Sequence, residues 1–150
     1  MVFGALKKAF KAGAKEVQAD YSKNRDFLEA VCAAAALVAF ADGEIEEAER
    51  AKAIRIITGH ATLGKLYQQP EIEQVAETMF KRAKDASGRQ SLARELDDIK
   101  GKDNAAQMAE DIYLVAVDIA HADGELEPEE EATLKKLAAR LGVDPARFEF

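Results

Sequence analysis

Two stretches of this chain, FADGEIEEAE (residues 40–49) and HADGELEPEE (residues 121–130), align at a shift of 81 residues, Asp123 against Asp42. At that shift Ala41 falls on Ala122, Gly43 on Gly124, Glu44 on Glu125 and Ile45 on Leu126. Glu46 falls on Glu127 and Glu49 on Glu130, and downstream Ala53 and Ile56 fall on Leu134 and Leu137. Each copy reads as an apolar helix, an Asp-Gly-Glu turn, and a second helix that begins in carboxylates. The spacing predicts an internally duplicated helix pair, at about residues 26–59 and 104–142, with pseudo-twofold packing as its consequence.

Elsewhere helical periodicity recurs and no strand-type alternation interrupts it. A basic amphipathic helix is expected over about residues 1–22, with Phe3, Leu6, Phe10, Ala14 and Val17 on one face. The run DFLEAVCAAAALVAFA, about Asp26 to Ala41, is apolar nearly all round and therefore central; Gly43 ends it as a left-handed cap residue. A third helix starts near Glu46 and closes at Gly59, and a short one is expected around Leu63–Tyr67. Pro70 opens a helix through Val75, Met79 and Phe80. Gly88 is expected to separate that helix from one holding Leu92, Leu96 and Ile99, which Gly101 stops. Asp103 or Asn104 caps AAQMAEDIYLVAVDIAHA, which ends by Gly124. Pro128 opens a helix through Leu134, Leu137 and Leu141 to Gly142, and Asp144-Pro145 starts a short terminal one. The expectation is one all-α domain over residues 1–150, a bundle of seven to eight helices.

Composition narrows the function. A length of 150 residues suits one core. A net charge of −7 argues against a general nucleic-acid binder, because phosphate contacts need basic surface. No run approaches the roughly 18 apolar residues of a membrane span, and the N-terminus lacks a secretory h-region and cleavage site. The single cysteine, Cys32, has no partner for an internal disulfide and reads as a buried structural thiol. A cytoplasmic location is expected.

The acidic turns have two readings. In the first they are helix punctuation: glycine supplies the positive φ of a C-cap, glutamates favour the next helix dipole, and Glu49 and Glu130 reach back as capping-box residues from three positions after Glu46 and Glu127. Capping does not require so many carboxylates in each turn. In the second reading they bind a cation. Clustered carboxylates repel unless a positive charge is near, and hard divalent ions prefer oxygen ligands. Asp42 and Glu49 converge across one bend and Asp123 and Glu130 across the other, so symmetric packing would let both turns share one ion. Glu46 and Glu127 are secondary candidates. Calcium, magnesium or manganese is favoured over zinc, since Cys32, His60 and His121 show no ligand spacing. The EF-hand pattern is absent, because glycine follows the first Asp directly. His121 reads as a helix-end histidine favoured by the dipole.

No catalytic pattern appears. AKDASGRQS lacks the ending of a phosphate loop, and Ser22, Ser87 and Ser91 have no histidine partner suggested by the sequence, so an enzyme is not expected. The basic first helix reads as docking Phe3, Leu6 and Phe10 on the bundle with its lysines in water. Peripheral membrane contact is its alternative role.

An apolar helix running into A-D-G-[acidic]-[Ile/Leu]-x-x-x-E, repeated before LKKLAARLGVDPARFEF, resembles the tellurite-resistance TerB family along nearly the whole chain. The basic, phenylalanine-containing N-terminus and the alanine-rich second helix with its cysteine add to the resemblance. It implies an all-helical cytoplasmic protein tied to tellurite resistance and related stresses. It also implies partner Ter proteins, one of them membrane-embedded and others calcium-binding, and a divalent-metal centre. By position that centre is Asp42 and Glu49 with Asp123 and Glu130, and more weakly Glu46 and Glu127. The reading is thus a non-catalytic metal-binding or metal-sensing stress-response module. A metal-free interaction module docking a basic partner on its acidic face is the alternative.

Overall fold

The computed structural model describes residues 25–122 and 124–148, and these are all-helical, with no strand among them. The helix expected over residues 1–22, Asp123 and Phe150 lie outside the described residues. In chain order the helices are α1 (Arg25–Ala39), α2 (Glu47–Gly59), α3 (Ala61–Leu66), α4 (Gln69–Arg82), α5 (Ala86–Asp97), α6 (Ala105–Ala120) and α7 (Pro128–Leu141). A 3-10 turn, Pro145–Phe148, follows.

Helix α1 is the axis of the bundle. Its sequence has too little polar surface to face water, and it is buried from Phe27 to Val38 on almost every side. The other central run, α6, is its main neighbour, and α4 and α5 complete the sheath. Helix α7 packs on α6, while α2 lies against α4 and the C-terminal half of the α1–α6 seam. Alanines at 30, 33, 34, 35 and 36 are fully buried, so the absence of large side chains lets neighbouring helices approach α1 closely. Cys32 is one of these core residues; burial pushes its thiol well above the usual range, which keeps it inert.

The α4–α5 corner departs from expectation. Gly88 is not a separator between helices but the third residue of α5, whose N-cap is Asp85: the Asp85 carboxylate accepts from the Gly88 N–H at 2.6 Å. A Cβ at position 88 would sit 1.6 Å from the Arg82 carbonyl oxygen, so the glycine is there because the end of α4 crosses at backbone contact. Beside it, Arg89 donates to the Ala83 carbonyl at 2.9 Å and stacks 5.1 Å from the centre of the Phe40 ring. The corner thereby anchors the end of α1, where the first acidic turn begins.

At the other end of α1, Asp26, Glu29, Glu95 and Asp98 gather. Arg82 pairs with Glu95 at 2.9 Å and Lys102 with Asp26 at 3.0 Å. Burial first, then the charges of Glu95 and Asp26, hold the carboxyls of both Glu29 and Asp98 above the ordinary range. A raised carboxyl weakens the fold while ionised. That penalty is full above the folded-state value and disappears below the unfolded-state value. Glu29→Gln is therefore expected to melt at or above wild type at neutral pH, with the gap closing as pH falls through the carboxylate range. A variant that is less stable than wild type at neutral pH would contradict the assigned cause.

Candidate functional site: an acidic cleft between two turns

Both acidic turns follow the same backbone course. In the first, Gly43 donates to the Phe40 carbonyl at 2.9 Å; in the second, Gly124 donates to the His121 carbonyl at 3.0 Å. Ala41 and Ala122 likewise bond back to Val38 and Ile119, at 3.1 and 3.2 Å. The glycines have φ of 96° and 87°, values that side-chain-bearing residues rarely adopt. Glu46 and Glu127 then stand in extended conformation as N-caps of α2 and α7.

The side chains differ. Glu130 accepts the Glu127 N–H at 3.1 Å, the reach-back bond of a capping box. The corresponding bond is not formed in the first turn, where Glu46 makes no side-chain cap bond either. There Asp42 accepts the Glu44 N–H at 3.1 Å, an Asx-type turn. Glu47 is drawn outward to Arg50, whose guanidinium holds its carboxyl below the usual range, and Arg50 also pairs with Glu77 of α4. Glu49, two residues further along α2, lines the side of the cleft that faces the second half of the molecule.

Between the turns lies an open cleft of about 350 Å³. Asp42 and Glu49 line it from one side and Glu127, Glu129 and Glu130 from the other. Its floor is apolar, built on Val38, Ala53, Ile56 and Ile119 with Ala122 at the edge. Four of the sequence-derived candidates (Asp42, Glu49, Glu127 and Glu130) thus share one cleft. Glu46 is not among its lining residues, and Asp123 lies outside the described residues. Sequence reading missed two members, Lys52 and Glu129. Lys52 was detectable one helical turn beyond Glu49, whereas the orientation of Glu129 depends on how α7 packs.

The donors are all carboxylate oxygens, the chemistry that hard divalent ions select. Their placement is open: among the described residues no three His, Cys, Asp or Glu side chains are gathered closely enough to hold an ion. An ion binding here has to draw the two turns together. Neither His60 nor His121 lines the cleft, and Cys32 is in the core, so nothing in it supplies the nitrogen or sulfur ligands of a structural zinc site.

Fold and site together define a small helical-bundle domain with an acidic surface cleft held between two helix-turn-helix units. Residues 28–150 match the family described as tellurite resistance protein TerB, and the chain belongs to that family. Comparison with curated proteins and with solved structures gave no match. No helix among the described residues is long and apolar enough to cross a membrane.

Proposed function

We propose that this tellurite-resistance-related domain is a non-catalytic cation-responsive module, in which a divalent ion closes the cleft between the acidic turns. One observation carries the reading: Asp42 and Glu49 share a single cleft with Glu127, Glu129 and Glu130, although some 80 residues separate the two sets in sequence. Two turns whose only task was to cap helices would have no reason to face each other. Closing the cleft would bring these carboxylates together against more repulsion than Lys52 alone offsets, and an ion between them would relieve it. Because α2 and α7 carry the ligands, the ion acts as a clamp between the two halves. Any partner that senses the angle between these helices then senses the cation. Partners in this reading are other Ter-type proteins, one of them membrane-embedded, and the location is cytoplasmic.

Calorimetric titration with Ca²⁺, Mg²⁺, Mn²⁺ and Zn²⁺ tests it. Binding by at least one of the oxygen-preferring ions, in preference to zinc, is expected. The absence of saturable heat with all four, and of any change in melting temperature, would overturn the reading. A second reading is favoured by the apolar floor, which a hydrated ion does not need: the cleft also fits an amphipathic basic segment.

A further inference from the structure

We propose that a second groove, on the other side of α2 from the acidic cleft, docks an acidic amphipathic segment of a partner protein. The groove lies between the first turn, the start of α2 and the end of α4, and holds about 440 Å³. Helix α2 divides the two sites: Glu49, Lys52, Ala53 and Ile56 line the cleft, whereas Glu47 and Arg50 line the groove. None of the cleft carboxylates lines the groove, so the proposal stands apart from the cation reading.

The first observation is a preformed apolar floor. Phe40 and Ile45 are half-buried in it, and Phe80 of α4 lies beneath them at 2% exposure. Arg89 stacks 5.1 Å from the centre of the Phe40 ring and is itself fixed by its 2.9 Å bond to the Ala83 carbonyl. The floor is therefore ordered before a partner arrives, which lowers the entropic cost of binding.

The second is charge. The residues lining the cleft sum to −4, with Asp42, Glu49, Glu127, Glu129 and Glu130 against Lys52. Those lining the groove sum to +1, with Arg50, Lys81 and Lys84 against Glu47 and Glu77. Both of these glutamates are bonded to Arg50. Lys81 and Lys84 are exposed and pair with no carboxylate among the described residues, and Arg89 adds a third cation beside Phe40. Lysines at a helix end balance its dipole. That role accounts for their sign but not for the apolar floor they border.

The third is shape, which selects among anionic partners. The floor is recessed, so a flat bilayer cannot reach Phe80, and a chain of net charge −7 is repelled by extended anionic surfaces. Two exposed lysines on flexible stems make no fixed cage for a small anion. They suit carboxylates spaced along a segment whose Leu or Phe side chains fill the floor, the arrangement of a helix laid in a groove.

An NMR titration of the full-length protein in chelator tests the docking without involving any cation. The probe is a designed helical peptide of about 15 residues, with Leu and Phe on one face and Glu elsewhere. Saturable shifts are expected at the amides of Ile45, Arg50, Phe80 and Lys81, while Lys100 and Val143 stay unmoved. Lys81→Glu with Lys84→Glu should weaken binding about tenfold, and so should raised salt. Lys135→Glu with Lys136→Glu makes the same charge change on α7 and should leave the affinity unchanged; all four lysines are exposed, so both variants should fold as wild type. A peptide with Ala in place of its Leu and Phe should not bind. The absence of saturable shifts, shifts confined to Glu49 and Ile56, equal losses from both lysine pairs, or retained binding of the alanine peptide would each overturn the proposal. Sedimentation with phosphatidylserine vesicles that requires Lys81 and Lys84, without peptide binding, would overturn it in favour of a membrane.

Discussion

Gly88→Ala is expected to destabilise the protein by about 1–3 kcal/mol or more, the range for forcing atoms into a packed site. In an ordinary helix the same change stabilises, by roughly 0.5–1 kcal/mol, because alanine loses less backbone entropy than glycine. Here the added methyl would lie 1.6 Å from the Arg82 carbonyl oxygen and 2.6 Å from its carbon. Neither is the end of a flexible side chain, so α4 and α5 must separate. Separation also strains the Asp85 cap and moves Arg89 off Phe40. Gly64 is the internal control: a Cβ there meets only the Thr58 carbonyl at 3.9 Å, ordinary contact, inside α3. Gly64→Ala should be neutral or stabilising. Chemical denaturation of both variants checks the pair, and equal effects would contradict the close-approach explanation.

Phe27→Ala should cost more, about 3–5 kcal/mol. Phe27 is 1% exposed in the first turns of α1, the helix on which α4, α5 and α6 all pack. Rigid neighbours on three sides cannot collapse into the vacated volume. Since domains of this kind are stable by only about 5–15 kcal/mol in total, the variant should show a large fall in denaturation midpoint. A loss below that of an ordinary surface substitution would mean that α1 is not the axis of the core.

Much of this architecture was legible in the sequence because helices announce themselves locally. The apolar run from Phe27 to Val38 has no polar face, and Pro70, Pro128 and Gly142 punctuate the helices within a residue of their observed ends, whereas Gly43 stands four residues past Ala39, where α1 stops. Gly88 was recognised as special for the wrong reason. A glycine that ends a helix and one that admits another backbone look alike in one dimension, and only the crossing of α4 over α5 separates them. The site shows the same division. The repeat register identified Asp42, Glu49, Glu127 and Glu130, but not that Glu46 would fall outside the cleft or that Lys52 and Glu129 would line it. Nor did it distinguish the two caps: Glu130 closes its box, whereas in the first turn no such bond forms, Glu47 pairs with Arg50, and Glu49 lines the cleft. These outcomes depend on which helix stands opposite, and α4 supplies Glu77 to the first turn alone.

The most direct test of the cation clamp is thermal unfolding of wild type, Asp42→Asn and Glu130→Gln, each in excess Ca²⁺, Mg²⁺ or Mn²⁺ and in chelator. Both substitutions delete charge while keeping a group able to accept the bonds that Asp42 and Glu130 make within their turns. With a cation at a hundredfold its dissociation constant, wild type should gain about 2.7 kcal/mol, seen as a higher melting temperature. Each variant should lose most of that gain, while in chelator both should melt at or slightly above wild type, because like-charge repulsion has been relieved. A wild-type melting temperature indifferent to every cation, with both variants destabilised by about 0.5–2 kcal/mol in either buffer as lost caps would be, would contradict the clamp and leave two acidic turns that only terminate helices.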